Sequence, residues 1–217
     1  MERTITVKGT GKVTIKPDLT VVSLTLRSLD PDYDASVADA ARRLDALRAA
    51  LGSIGFARDE LKTVTFRVST EQESIRDENG NYKSVFAGYS CIHGLKLEFD
   101  FDTDLLSRVL SAVAGCEGDP ELYIQFGVRD REAVREALLE SAAQNARAKA
   151  EVLARASGVA LGELLSIRYH WGERDFFSTT EYGMEKRCMS MANGAGMDIM
   201  PDDITVDDNA AFVWAIL

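Results

Sequence analysis

The chain has little of what most recognisable chemistry needs. Its three cysteines, Cys91, Cys116 and Cys188, are an odd number without CxxC spacing, which argues against a disulfide framework and for reduced thiols. Histidine is scarcer still, with only His93 and His170. Cys91 and His93 alternate onto one strand face and have the chemistry for a soft metal, but two ligands do not make a site and there is no second Cys/His pair. Positive charge is short: 25 Lys and Arg stand against 35 Asp and Glu, a net charge of -10, which repels phosphate backbones and anionic lipid surfaces. No nucleic-acid partner is expected. No apolar run approaches the ~20 residues of a membrane span. The opening MERTITVKGTG has a glutamate and alternating β-type residues where a signal peptide needs a basic start and a continuous apolar run, so a cytoplasmic location is expected.

What the chain does have is core. With 217 residues and 46% hydrophobic content it is long enough to bury a full interior. Without a low-complexity linker or a fixed-period repeat, it is expected to form one domain over residues 1–217. The longest helical pattern runs from Asp130 to Ser157, with Val134, Leu138, Ala142, Asn145, Lys149, Val152 and Ala156 at helical spacing and interleaved alanines that let a sheet or helix approach closely. Asp130 suits its N-cap and Gly158 the left-handed C′ position. Shorter helices are expected from Val37 to Ile54, capped by Asp34 or Ser36 and ended by Gly55, and from Thr103 to Ala114, ended by Gly115.

Strands are expected at Thr4 to Ile15, broken by a bulge or bend at Gly9 and Gly11; at Leu19 to Arg27; at Leu122 to Val128; at Glu163 to Trp171; and at Ile204 to Leu217, whose two apolar faces imply a buried position. Between them lies a long hairpin, Leu61 to Ile75 and Tyr82 to Phe99. Its second arm reaches past its own sheet or bends at Gly88 and Gly94. The composite is an α+β fold with a mixed, mainly antiparallel sheet, about three helices and a protruding hairpin. From 172 to 201 the periodicity vanishes, which gives a long loop within the domain.

Several motif-like stretches read more simply as structure. Gly9-Thr10-Gly11 lacks the third glycine and following helix of a dinucleotide loop. Asp30, Asp32 and Asp34 have calcium-loop spacing, but Ala35 and Ala41 stand where glycine and glutamate belong, so they read as a turn and a helix cap. Gly88-Tyr89-Ser90-Cys91-Ile92 lacks the last glycine of a nucleophile elbow and lies inside a strand. The 172–201 loop differs in kind, because it holds every methionine but the first: Met184, Met189, Met191, Met197 and Met200, with Cys188 among them. Thioethers and a thiol suit Cu(I) and oxidise readily, which makes Cys188, Met184, Met189 and Met191 the candidate metal ligands. An adaptable contact loop is the plainer reading, and no cofactor is expected.

The order of pieces resembles the SIMPL-domain (DUF541) family. VKGTGKVTIKPDLTVVSLTL resembles its opening, with a V-x-G-x-G segment and a Pro-Asp before a strand. LGSIGFARDELKTVTF is similar to its Gly, acidic, Thr stretch, and Phe86-Ala87-Gly88-Tyr89 to its aromatic-Gly-Tyr segment. IQFGVRD with ALLESAAQNARAKAEVLARASGVALGEL resembles its strand and alanine-rich helix. The resemblance implies an α+β domain that self-assembles into rings or larger oligomers, linked to oxidative-stress defence and bringing no catalytic residues. Many bacterial relatives carry a signal peptide, which this opening does not match. The expectation is therefore a non-enzymatic homo-oligomer, with a protein partner reached through the long hairpin or the Met-rich loop. The alternatives are a soft-metal or peroxide-reactive protein acting through that loop, and an enzyme whose site is assembled from unlinked residues.

Overall fold

The computed structural model describes residues 3–76, 81–170, 172, 175–184 and 199–217. In chain order its elements are β1 (Thr4–Ile15), β2 (Leu19–Asp30), α1 (Tyr33–Gly52), β3 (Lys62–Arg76), β4 (Tyr82–Asp100), α2 (Thr103–Ala114), β5 (Glu121–Gly127), α3 (Arg131–Ala156), β6 (Leu161–Tyr169), β7 (Phe177–Met184) and β8 (Ile204–Ile216). The strands form two sheets, ordered β1-β8-β6 and β3-β4-β2-β5-β7, which is the α+β class expected. Two compact units result, Met1–Asp18 with Gly127–Thr179 and Pro201–Leu217, and Leu19–Phe126 with Thr180–Met200. Each unit draws on separate stretches, so no single cut of the chain separates them.

In the first unit α3 lies on the three-stranded sheet. β1 pairs antiparallel with β8 without a slip from Thr4↔Ala215 to Ile15↔Ile204, so no bulge falls at Gly9 or Gly11. Their role is close approach: a Cβ on Gly9 would lie 2.1 Å from the Ala142 carbonyl oxygen, and one on Gly11 2.0 Å from that of Leu138. The helix answers with its own small residues. Its buried row is Val134, Leu138, Ala142, Ala146, Ala150 and Ala154, and the expected continuation through Asn145, Lys149 and Val152 is corrected, since Val152 is 54% exposed. Asp130 caps α3 by accepting from the Ala133 amide at 2.9 Å, and Gly158 takes the left-handed turn at φ +72°. β8 is the central strand, and Phe212 and Trp214 bury beside Val7, Ala146 and Ala150.

The second unit packs α1 and α2 over the five-stranded sheet, around Leu24, Leu26, Leu47, Leu97, Leu106, Val109 and Phe126. The cap of α1 is Asp32, earlier in the chain than Asp34 or Ser36: its carboxylate accepts from the Ala35 amide at 2.9 Å, while Asp30 accepts from the Asp32 amide at 2.8 Å. That turn and cap account for two of the three spaced aspartates, and Asp34 lies in the first turn of α1. Asp102 caps α2 in the same way, from the Leu105 amide at 2.8 Å. α1 ends at Gly52, before the expected Gly55.

The stretch 172–201, expected as one loop, contains β7. It escapes the sequence pattern because a serine fills a buried position there; the Ser178 hydroxyl is satisfied by donating to the Asp202 carbonyl at 2.7 Å.

Candidate interaction surface

A strand at the edge of a sheet presents unpaired N–H and C=O groups, and what covers them decides whether another chain can join. β1 is closed. The Thr10 amide donates to Asn145 Oδ1 at 3.0 Å, the Lys12 amide to Ser141 Oγ at 3.1 Å, and Lys149 Nζ donates to the Lys8 carbonyl at 3.2 Å. The match is geometric: four residues along a helix advance about 6 Å, nearly the span of two residues along a strand. Ser141, Asn145 and Lys149 therefore meet Lys12, Thr10 and Lys8 in step. In the sequence this contact shows only as a polar i,i+4 row, Ser141, Asn145 and Lys149, beside a row of alanines.

β3 is open. Fourteen of its 15 residues are exposed, all but Val68, and among the described strands it pairs with β4 alone. β2 ends where Asp30 meets Tyr89, whereas β3 and β4 run on to Arg76 opposite Tyr82. The outer hairpin is thus a two-stranded ribbon reaching past its sheet, as expected. Its bend falls at Gly88, with φ +152°, where a Cβ would meet the Asp30 carbonyl at 2.6 Å. The ladder slips there, Glu71 facing Gly88 and Gln72 facing Phe86, which leaves Ala87 as the extra residue of a bulge. A second slip lies opposite Gly94, between Thr63 and Thr65.

The arm also carries rings. Phe86 stacks edge-on with Tyr89 at 5.3 Å, Tyr89 with Tyr33 at 5.6 Å, and Phe66 with His93 at 5.1 Å. Tyr82 is 76% and Phe86 52% exposed. β6 is another edge strand, with Leu164, Leu165 and Ile167 exposed.

Among the described residues, His93, Cys91 and Ser90 are buried within the fold. His93 is buried, its Nε2 2.9 Å from Thr63 Oγ1, and burial, aided by the Arg48 guanidinium, pushes its pKa below the ordinary 6.5. The folded chain thus keeps His93 neutral where the unfolded chain would protonate it. Its contribution to stability is present above pH 6.5 and is lost as the pH falls below that value. His93→Gln is expected to flatten the fall in urea midpoint between about pH 7.5 and 5.5; a fall as steep as in the parent would show that another group is responsible. Cys91 is fully buried beside the Ser28 hydroxyl, and burial pushes its thiol up, as it does that of half-buried Cys116. Neither is a poised nucleophile. Ser90 is buried in mid-strand and His170 is exposed. Of the candidate ligands, Met184 closes β7, while Cys188, Met189 and Met191 lie outside the described residues. Among the described residues no three His, Cys, Asp or Glu side chains are grouped to hold a metal, and no helix is long and apolar enough to cross a membrane.

The sequence profile of SIMPL, described as a protein of unknown function (DUF541), matches residues 5–214, from β1 into β8. The chain belongs to the SIMPL family. A similar protein is the uncharacterized protein YggE of Edwardsiella ictaluri (strain 93-146), 23% identical over 166 residues that make up 76% of this chain and 67% of that protein. Neither description states a molecular role. For this SIMPL protein the open strand edges are therefore the feature from which a role can be argued.

Proposed function

We propose that this SIMPL protein works by association, as a self-assembling homo-oligomer without a catalytic step of its own. The observation that supports this reading is the outer edge of β3, which no other described strand covers, running on into a ribbon that exposes Ile75, Tyr82 and Phe86. A two-stranded ribbon is marginal in water by itself, and large rings on its surface are what a protein interface buries. The contrast with β1, whose edge α3 closes, supports β3 as the edge at which copies meet. The link to oxidative-stress defence implied by the resemblance enters as a secondary element: Met200, 72% exposed, is a methionine open to conversion by peroxide to the sulfoxide.

Native mass spectrometry with sedimentation at micromolar concentration tests the proposal. A multiple of the 23.8 kDa chain mass is expected. A monomer throughout the range would defeat it.

A further inference from the structure

Granting self-assembly, we propose that two copies join by antiparallel pairing of their β3 strands across a two-fold axis normal to the sheet. The charge pattern of this one edge is complementary to itself. Between Thr65 and Arg76 β3 is unbroken, because the slip at Glu71/Gln72 places the extra residue on β4. Within that run Arg67, Ser69, Glu71 and Glu73 alternate onto one face. A two-fold axis at Ser69 sets Arg67 opposite Glu71 of the second copy, and Glu71 opposite its Arg67; an axis at Thr70 does the same with Glu73. In either register the interface gains two reciprocal ion pairs. Among the described residues neither Arg67 nor Glu71 is engaged in an ion pair within its own chain, so both are available to the partner.

The β6 edge is less suited. β6 slips twice against β8, between Leu161 and Leu164 and again between Leu164 and Ser166, which leaves only Ser166–Tyr169 in regular register. β1 is closed by α3. Joining two β3 strands would extend each five-stranded sheet into a continuous ten-stranded one, with both ribbons braced along the seam.

A charge-swapped pair of chains tests this. Arg67→Glu places like charges opposite one another twice in a self-pair, and so does the double change Glu71→Arg with Glu73→Arg; each chain alone is expected to assemble at least about tenfold more weakly than the parent. Mixed in equal amounts, the two chains set the glutamate introduced in one against the arginines introduced in the other. The unchanged Arg67 of the doubly altered chain then faces the unchanged Glu71 and Glu73 of its partner, and parent-like association should return as mixed pairs in native mass spectra. All these positions are exposed, so melting temperatures should stay within a few degrees of the parent. Recovery on mixing also shows that both chains are folded. Undiminished self-assembly of either variant, or a mixture no stronger than its components, would overturn the pairing while leaving the proposed association intact if the parent still assembles. A monomeric parent would overturn both.

Discussion

Gly11→Ala is expected to destabilise the protein by about 3 kcal/mol, a large effect for adding one methyl group. The new Cβ would lie 2.0 Å from the Leu138 carbonyl oxygen and 2.9 Å from the Ala142 nitrogen, and helix backbone cannot yield as a side-chain end can. Relief requires α3 to lift from β1, which opens the Ala146 and Ala150 contacts and pulls Ser141 and Asn145 from the strand edge that they close. Urea midpoints measure the loss. Gly52→Ala is the control: nothing lies within 4 Å of its Cβ position, and removing backbone freedom in a helix should add about 0.5 to 1 kcal/mol. If Gly11→Ala behaved like Gly52→Ala, the close helix-on-strand contact would be wrong.

Phe126→Ala should cost about 3 to 5 kcal/mol, through lost transfer energy and the cavity left behind. Phe126 is fully buried in the core of the second unit, its ring edge-on to Phe101 at 5.6 Å. Domains are stable by only about 5 to 15 kcal/mol, so this one change removes a large share of the margin. Thermal and urea unfolding of the variant read it directly. A cost below about 1 kcal/mol would place Phe126 at a surface instead.

These effects differ in how far the sequence announces them. The burial of Phe126 follows from simple alternation in a strand, and the caps at Asp130 and Gly158 from residue chemistry alone. The reach of the hairpin and its bend at Gly88 were legible too, since a strand longer than its neighbours and broken by glycine has few other solutions. The role of Gly9 and Gly11 was not. A glycine in a strand signals a bulge or a close approach with equal force, and only the position of α3 separates the two. The alanine row misled for a related reason: alanine gives a weak apolar signal, so Asn145, Lys149 and Val152 drew the helix face away from Ala146 and Ala150. β7 was hidden by the buried Ser178, whose partner at Asp202 is distant in sequence. Which strands lie at the edges depends on the order in which distant segments pair, so local periodicity could show that β3 is a strand without showing that its outer row is free.

Hydrogen exchange along β3 as a function of protein concentration tests the central claim most directly, because it reads the outer backbone row without altering a residue. If copies join there, peptides spanning Thr65 to Arg76 should gain protection as concentration rises, in step with the mass of the assembly. β1 peptides, whose edge amides are already held by Ser141 and Asn145, should exchange at a rate independent of concentration. Unchanged exchange along β3 while the mass increases, with new protection appearing at β6, would contradict β3 as the meeting edge; no concentration dependence in either mass or exchange would contradict assembly itself.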